Sequence, residues 1–100
     1  MRESTIEGLL VQGAARAGWL ALKFISPGNA GVPDRILIGP NRQIIFVELK
    51  TETGRLKAMQ TYQIARLRGF GHDVRVLYGA DDVKRFIHEI CTARLSEKSD

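Results

Sequence analysis

Two short apolar runs, residues 35–38 (RILI) and 43–49 (QIIFVEL), stand on either side of Gly39-Pro40-Asn41-Arg42. Apolar, β-branched runs of this length around a turn signal predict an antiparallel hairpin turning at Asn41-Arg42. No other feature limits the fold as much. The second run is apolar at both alternations, with Ile45, Val47 and Leu49 on one face and Ile44 and Phe46 on the other. A strand apolar on both faces reads as a central one, so the sheet must continue beyond it.

The rest of the chain supplies the remaining elements. Residues 4–18 carry Ile6, Leu9, Leu10, Ala14 and Ala17 at helical spacing and stop at Gly18. Residues 19–25 read as a strand, and 26–33 (SPGNAGVP) as an irregular loop. A helix follows over 56–71, its buried side expected at Leu56, Met59, Tyr62 or Gln63, Ala65 or Arg66, Leu67 and Phe70. Tyr62, Phe70 and Tyr78 are expected in the core. A strand over 73–79 and a helix over 80–95, opened by acids, complete the pattern, and 96–100 is expected to fray. The order α-β-β-β-α-β-α predicts an α/β fold of one domain over 1–95. Its mixed four-stranded sheet is flanked by helices, with the fourth strand parallel to a neighbour because a helical crossover precedes it.

Composition narrows the partners. No apolar run approaches the roughly 20 residues a membrane span requires, and the first residues lack the apolar stretch of a secretory signal. Cys91 is the single cysteine, which excludes an internal disulfide and points to a reducing, intracellular (cytoplasmic) setting. The formal net charge is +4. Between Thr53 and His72 stand Arg55, Lys57, Arg66 and Arg68 and no acid, so this segment carries the whole excess. A concentrated positive charge favours a polyanionic partner.

The hairpin also gathers charge. With the turn at Asn41-Arg42, Pro40 opposes Gln43 and paired positions sum to about 83, which sets Asp34 opposite residues 48 to 50. Glu48 and Lys50, two apart, project from one face. Two carboxylates on rigid strands suit a hard divalent cation, and the Leu49 backbone carbonyl between them offers a neutral oxygen. Lys50 beside them suits activation of water or stabilisation of phosphate charge. The arrangement fits metal-assisted hydrolysis of a phosphodiester; the plainer alternative is a solvated ion pair at a strand end.

Pro33-Asp34 followed by Glu48-Leu49-Lys50 resembles the PD-(D/E)xK nuclease superfamily, whose core is α-β-β-β-α-β, the restriction-endonuclease-like fold; the last helix here is extra to it. GVPDR, FVELK, GRLKAMQ and LRGFGHDVRVLYG, in that order, resemble the virus-type replication–repair nuclease (VRR-NUC) family. The resemblance implies Mg²⁺- or Mn²⁺-dependent cleavage of DNA, with Asp34 and Glu48 as metal-binding acids and Lys50 as the catalytic lysine. It also implies Glu7 as an acid of the first helix that reaches the metal, and Gln60 as a residue that supports the site or touches a phosphate. Glu7 has an alternative role, because Ser4-x-x-Glu7 is a capping-box pattern. Family members often carry Ser near position 57, where this chain has Lys57. Arg35, Arg55, Lys57, Gln63 and Arg66 are the expected DNA contacts, Arg35 having a second option in pairing with Asp34 or Glu48.

The expected function is a phosphodiester hydrolase acting on DNA: an endodeoxyribonuclease selective for branched or junction DNA and acting as a homodimer, without membrane or organic cofactor. The resemblance implies a phage or bacterial DNA-processing setting, including Holliday junctions and repair. The alternatives are a non-catalytic DNA-binding module of the same fold and a nickase of ordinary duplex.

Overall fold

The computed structural model describes residues 1–99, with side chains described as far as Thr92. It contains α1 (Glu3–Arg16), β1 (Leu20–Lys23), β2 (Arg35–Ile38), β3 (Ile44–Lys50), α2 (Ala58–Gly69), β4 (Asp73–Tyr78) and α3 (Gly79–Ser99). One sheet has the order β1-β2-β3-β4. The first two pairings are antiparallel, and β3–β4 is parallel. This is the mixed α/β architecture expected from the element order, with β3 central. α3 runs past Leu95, where the sequence pattern ends it. Asp100 and the side chains from residue 93 onward fall outside the described residues; the backbone of 96–99, expected to fray, is part of α3.

The core lies on one face of the sheet. Leu37, Ile45, Val47, Leu49 and Leu77 point to that face and pack against Ile6, Leu10 and Ala14 of α1 and Val83, Phe86 and Ile90 of α3. Each fully buried Leu or Ile is worth about 1.5–3 kcal/mol of apolar transfer, so α1 and α3 are fixed to the sheet by this layer. The opposite face carries Ile36, Phe46, Glu48 and Lys50 and is covered in part by α2. Phe24, Phe46 and His72 form a ladder of ring contacts, with centroids 5.9 and 5.7 Å apart. Beyond it Leu20, Leu22, Ile38 and Ile44 stay exposed. Ile44 therefore does not share the burial of Ile45.

The hairpin differs from expectation by one residue. Asn41 and Arg42 both have left-handed backbone, φ 57° and 64°, as a tight two-residue turn demands. The register, however, pairs Arg35 with Val47 and Ile38 with Ile44, a constant of 82 rather than 83. Pro40 explains the shift. It accepts a bond from the Gln43 N–H (3.3 Å) but has no N–H to return, so Gly39 donates to the Gln43 carbonyl instead (2.9 Å). Gly39 and Pro40 together oppose Gln43, a one-residue bulge. A side chain at Gly39 would meet the Trp19 ring at 2.5 Å.

α2 departs further from its expected orientation. Its buried residues are Gln63 and Ile64, whereas Met59, Tyr62 and Phe70 stand 48%, 56% and 78% exposed. Tyr62 and Phe70 are thus outside the core, and Tyr78 is half-buried. Of the expected inner side, Gln63 is buried and Leu56 and Leu67 are half-buried; polar hydrogen bonds there turn the helix away from the rotation that would bury Met59, Tyr62 and Phe70.

Candidate active site

With the register constant at 82, continuing β2 backwards sets Asp34 opposite Glu48 and Pro33 opposite Leu49. The continuation is real on the other side of β2 also, where the Phe24 N–H bonds the Asp34 carbonyl at 2.9 Å. Cross-strand partners share a face, so the bulge at Pro40 aligns the two acids. Had the pairing kept the unbulged register, Asp34 would oppose Leu49 and face away from Glu48.

The two acids are held from the backbone. The Leu49 N–H donates to Asp34 Oδ1 (3.3 Å), and the Asp34 backbone offers a hydrogen bond to the Glu48 carboxyl. Pro33, opposite Leu49, has no N–H, so β2 makes no claim on the Leu49 carbonyl. Backbone groups of one residue point the same way in an antiparallel ladder, so this carbonyl faces Asp34 as its N–H does. The proline of the Pro33-Asp34 pair therefore leaves an oxygen free where a third ligand would be wanted.

Electrostatics at this end of the sheet favour proton uptake or a cation. Burial raises the Asp34 carboxyl above the ordinary range, against the lowering effect of the Leu49 N–H. Burial and then repulsion from Asp34 push Glu48 up to about 7, with Lys50 opposing. Glu48 is 4% exposed, and Lys50 Nζ stands 3.7 Å from its Oε2. Gln60 clamps the same oxygen, its Nε2 donating at 3.1 Å, while its Oε1 accepts the Lys57 N–H at 2.8 Å. Lys57 is the N-cap of α2 and has no acceptor to cap the helix; Gln60, at the third helical position, satisfies that end instead. One amide thus ties the start of α2 to the Glu48 carboxylate.

The loop between β1 and β2 seals this junction. Gly31 has φ +89°, and a Cβ there would lie 2.5 Å from the Met59 carbonyl group and 2.9 Å from the Gln60 nitrogen. Only glycine lets the loop come this close to α2. Gln63, one turn beyond Gln60, is buried and donates to the Ala30 carbonyl at 3.1 Å. The loop is therefore strapped to the helix that positions Gln60.

A VRR-NUC domain family model matches residues 10–81. The chain belongs to the VRR-NUC family. It is 44% identical over 81 residues to a protein of Acyrthosiphon pisum secondary endosymbiont phage 1 described as "Putative nuclease p44", covering 81% of this chain and 87% of that one. A solved structure described as "VRR_NUC domain" superposes with a TM-score of 0.81 at 28% identity, covering 86% of this chain and 94% of the other. A second, "VRR_NUC domain protein", gives 0.67 at 21% identity over 90% and 88%, a likeness of fold.

Within this VRR-NUC domain the expected site residues separate into groups. Asp34, Glu48, Lys50 and Gln60 converge, and ladder geometry directs the Leu49 carbonyl to the side its N–H takes. Glu7 does not join them. It sits on the α1 side of the sheet, where Arg35 Nη2 bonds its Oε1 in an ion pair. That pair occupies Arg35, whose side chain is 12% exposed; its charge acts on Asp34, but its hydrogen-bonded partner is neither Asp34 nor Glu48. Nor does Glu7 form a capping box with Ser4, because α1 starts at Glu3 with Arg2 as its N-cap. Gln63, expected on DNA, is committed to the loop. Arg55, Lys57 and Arg66 are exposed. Sequence reasoning missed Glu3, whose charge reaches both Asp34 and Glu48 and raises both. It lies one turn before Glu7, so helical periodicity already placed the two acids on one side of α1. Among the described residues, no three acids, histidines or cysteines are gathered closely enough to cage a metal by themselves. No helix there is long and apolar enough to cross a membrane.

Proposed function

We propose that this VRR-NUC chain is a metal-dependent endodeoxyribonuclease, with Asp34, Glu48 and the Leu49 carbonyl as the Mg²⁺ or Mn²⁺ ligands and Lys50 as the catalytic lysine. The observation that carries this is the half-buried Asp34 beside the buried Glu48, both raised in pKa, at one end of two adjoining strands, with an amine 3.7 Å from Glu48. Two such groups are costly to keep charged without a cation, and an all-oxygen donor set suits a hard one. Three ligands leave coordination positions for water and phosphate. When bound, the ion supplies Lewis-acid polarisation of the scissile phosphate and neutralises the two carboxylates. Lys50 orients the attacking water and meets charge developing on the phosphate. Gln60 holds the Glu48 carboxylate in one rotamer. Glu3, rather than Glu7, is the first-helix acid that serves the site. The homologue described as a nuclease and the basic segment around α2 support DNA as substrate.

Selectivity for branched DNA and action as a homodimer belong to the same reading. A domain this small has little room to read base sequence, which favours recognition of shape and phosphate. Paired incision of a two-fold junction needs two sites, which a symmetric dimer supplies. The test incubates the protein with labelled four-way junction, flap, nicked and linear DNA in Mg²⁺, Mn²⁺ or chelator, with sedimentation for the oligomeric state. Metal-dependent cleavage, lost in Asp34→Ala and Lys50→Ala, is the expected result. Binding without cleavage of any substrate would instead make the chain a DNA-binding module, and random nicking of duplex would remove junction selectivity.

A further inference from the structure

α2 presents an outer stripe that stays exposed among the described residues. Met59, Tyr62, Arg66 and Phe70 recur at intervals of three and four and so share one side of the helix; the three apolar members are 48%, 56% and 78% exposed. Among the described residues Phe70 is the most exposed large apolar one. The helix contains no acid, and Arg55 and Lys57 stand exposed just before it. Between the 26–33 loop and α2 lies a hollow of about 270 Å³, bounded by Asn29, Val32, Gln63, Arg66, Leu67 and Phe70. That is smaller than the ~300–1,000 Å³ that suits a drug-sized ligand, and fits one planar heterocycle.

Burial statistics make exposed aromatic rings beside arginines informative. Every nucleobase has a π-face, and aromatic side chains interleaved with cations are how proteins hold unpaired strands. Paired bases in a duplex keep their faces covered and would offer this stripe nothing to stack on. A second copy docked here would set the two Arg66 side chains and their basic neighbours against each other, so the charge argues for a polyanion.

We infer that the Met59–Tyr62–Arg66–Phe70 stripe is a stacking platform for unpaired nucleotides of the DNA, leading along α2 to the Asp34–Glu48 site. This rests on the proposed nuclease function and ranks its branched substrates, favouring forks and flaps with an unpaired segment beside the cut over fully paired junctions. The geometry permits it: Gln60 touches Glu48, and Phe70 lies about 15 Å further along at a 1.5 Å rise per residue. That equals roughly four stacked steps of about 3.4 Å each. Arg66 sits between the rings, placed to neutralise the phosphates that pass.

The test measures binding of the full chain, in chelator, to a forked duplex with an unpaired oligothymidine arm and to a fully paired duplex of equal length. Cleavage of both is followed in parallel with Mg²⁺ or Mn²⁺. Phe70→Ala and Tyr62→Ala should each weaken binding to the fork by about 5- to 100-fold, the range for loss of one stacked base, with a far smaller loss on duplex. Phe70→Trp should restore fork affinity, and its added fluorescence should quench on oligothymidine. Unchanged fork affinity in both alanine variants overturns the platform. So does Phe70→Asp dissociating a dimer while fork affinity stays intact, since the stripe would then be a protein interface. If these effects appear but wild type cuts no DNA, the nuclease reading fails and the platform stands. If cleavage persists and the rings prove silent, only the platform fails.

Discussion

Glu48 is the residue on which the site's chemistry turns, because its environment makes its charge expensive. Burial raises its pKa from 4.5 to about 7. A raised folded-state value means that the protonated form stabilises the fold. That contribution is complete below pH 4.5 and disappears as pH rises through about 7. At 1.36 kcal/mol per pKa unit it amounts to about 3 kcal/mol. In chelator, thermal melts of wild type and Glu48→Gln from pH 4 to 8 (range about that over which both states titrate) should diverge, wild type losing stability relative to the variant as pH rises. Parallel curves would show that Glu48 is solvated. The two acids of α1 separate by the same logic. Glu7→Gln weakens a half-buried, charge-assisted pair, at a cost of about 1–3 kcal/mol, and should lower Tm while leaving the metal requirement of cleavage nearly intact. Glu3→Gln should raise the Mg²⁺ concentration needed for half-maximal cleavage several-fold with little change in Tm. The reverse pattern would return the role to Glu7.

At the scale of elements, α2 is positioned by polar bonds more than by apolar burial. Its first turn has no side-chain cap, and Lys57 occupies the position where a hydroxyl would bond the helix start. Lys57→Ser should add about 1 kcal/mol of stability, read as a higher Tm, while Gln60 keeps its hold on Glu48. Gly31→Ala should have the opposite effect. A methyl group there meets the Met59 carbonyl and must adopt a positive φ, at a cost of about 1–3 kcal/mol. Because relief requires the loop and the N-terminus of α2 to part, cleavage should fall more than stability alone explains. Equal melting temperatures for Gly31→Ala and wild type would show that the loop is not strapped to the helix.

For the molecule as a whole, charge is divided by region. The excess of +4 is carried by one segment, folded as α2 and its approach, while the Asp34–Glu48 end of the sheet holds the clustered acids. Binding to duplex should therefore weaken steeply with salt. Replacing Arg55, Lys57 and Arg66 together by Gln should reduce the slope of log K against log salt by about 3, at roughly 0.9 per neutralised phosphate. A slope unchanged by the triple replacement would place the DNA on another surface.

Much of this was legible in sequence because it depends on local rules. The hairpin at Asn41-Arg42, the central position of β3, the parallel β4 and the convergence of Asp34, Glu48 and Lys50 all follow from alternation, turn chemistry and crossover geometry, which neighbouring residues determine. The family was legible in the motifs that those elements carry. Tertiary structure alone decided the rest. The one-residue bulge depends on a hydrogen bond that Pro40 cannot make, and it sets Asp34 opposite Glu48. The rotation of α2 depends on what its inner side meets: Gln60 finds a buried carboxylate and Gln63 a loop carbonyl, and satisfying those groups outweighs hiding Tyr62 and Phe70. In sequence Arg35 had phosphate, Asp34 or Glu48 as candidate partners, and it became Glu7's partner only when α1 settled on the sheet. Periodicity records which residues are apolar, but a buried polar atom selects its own partner across space, and no window of sequence contains both.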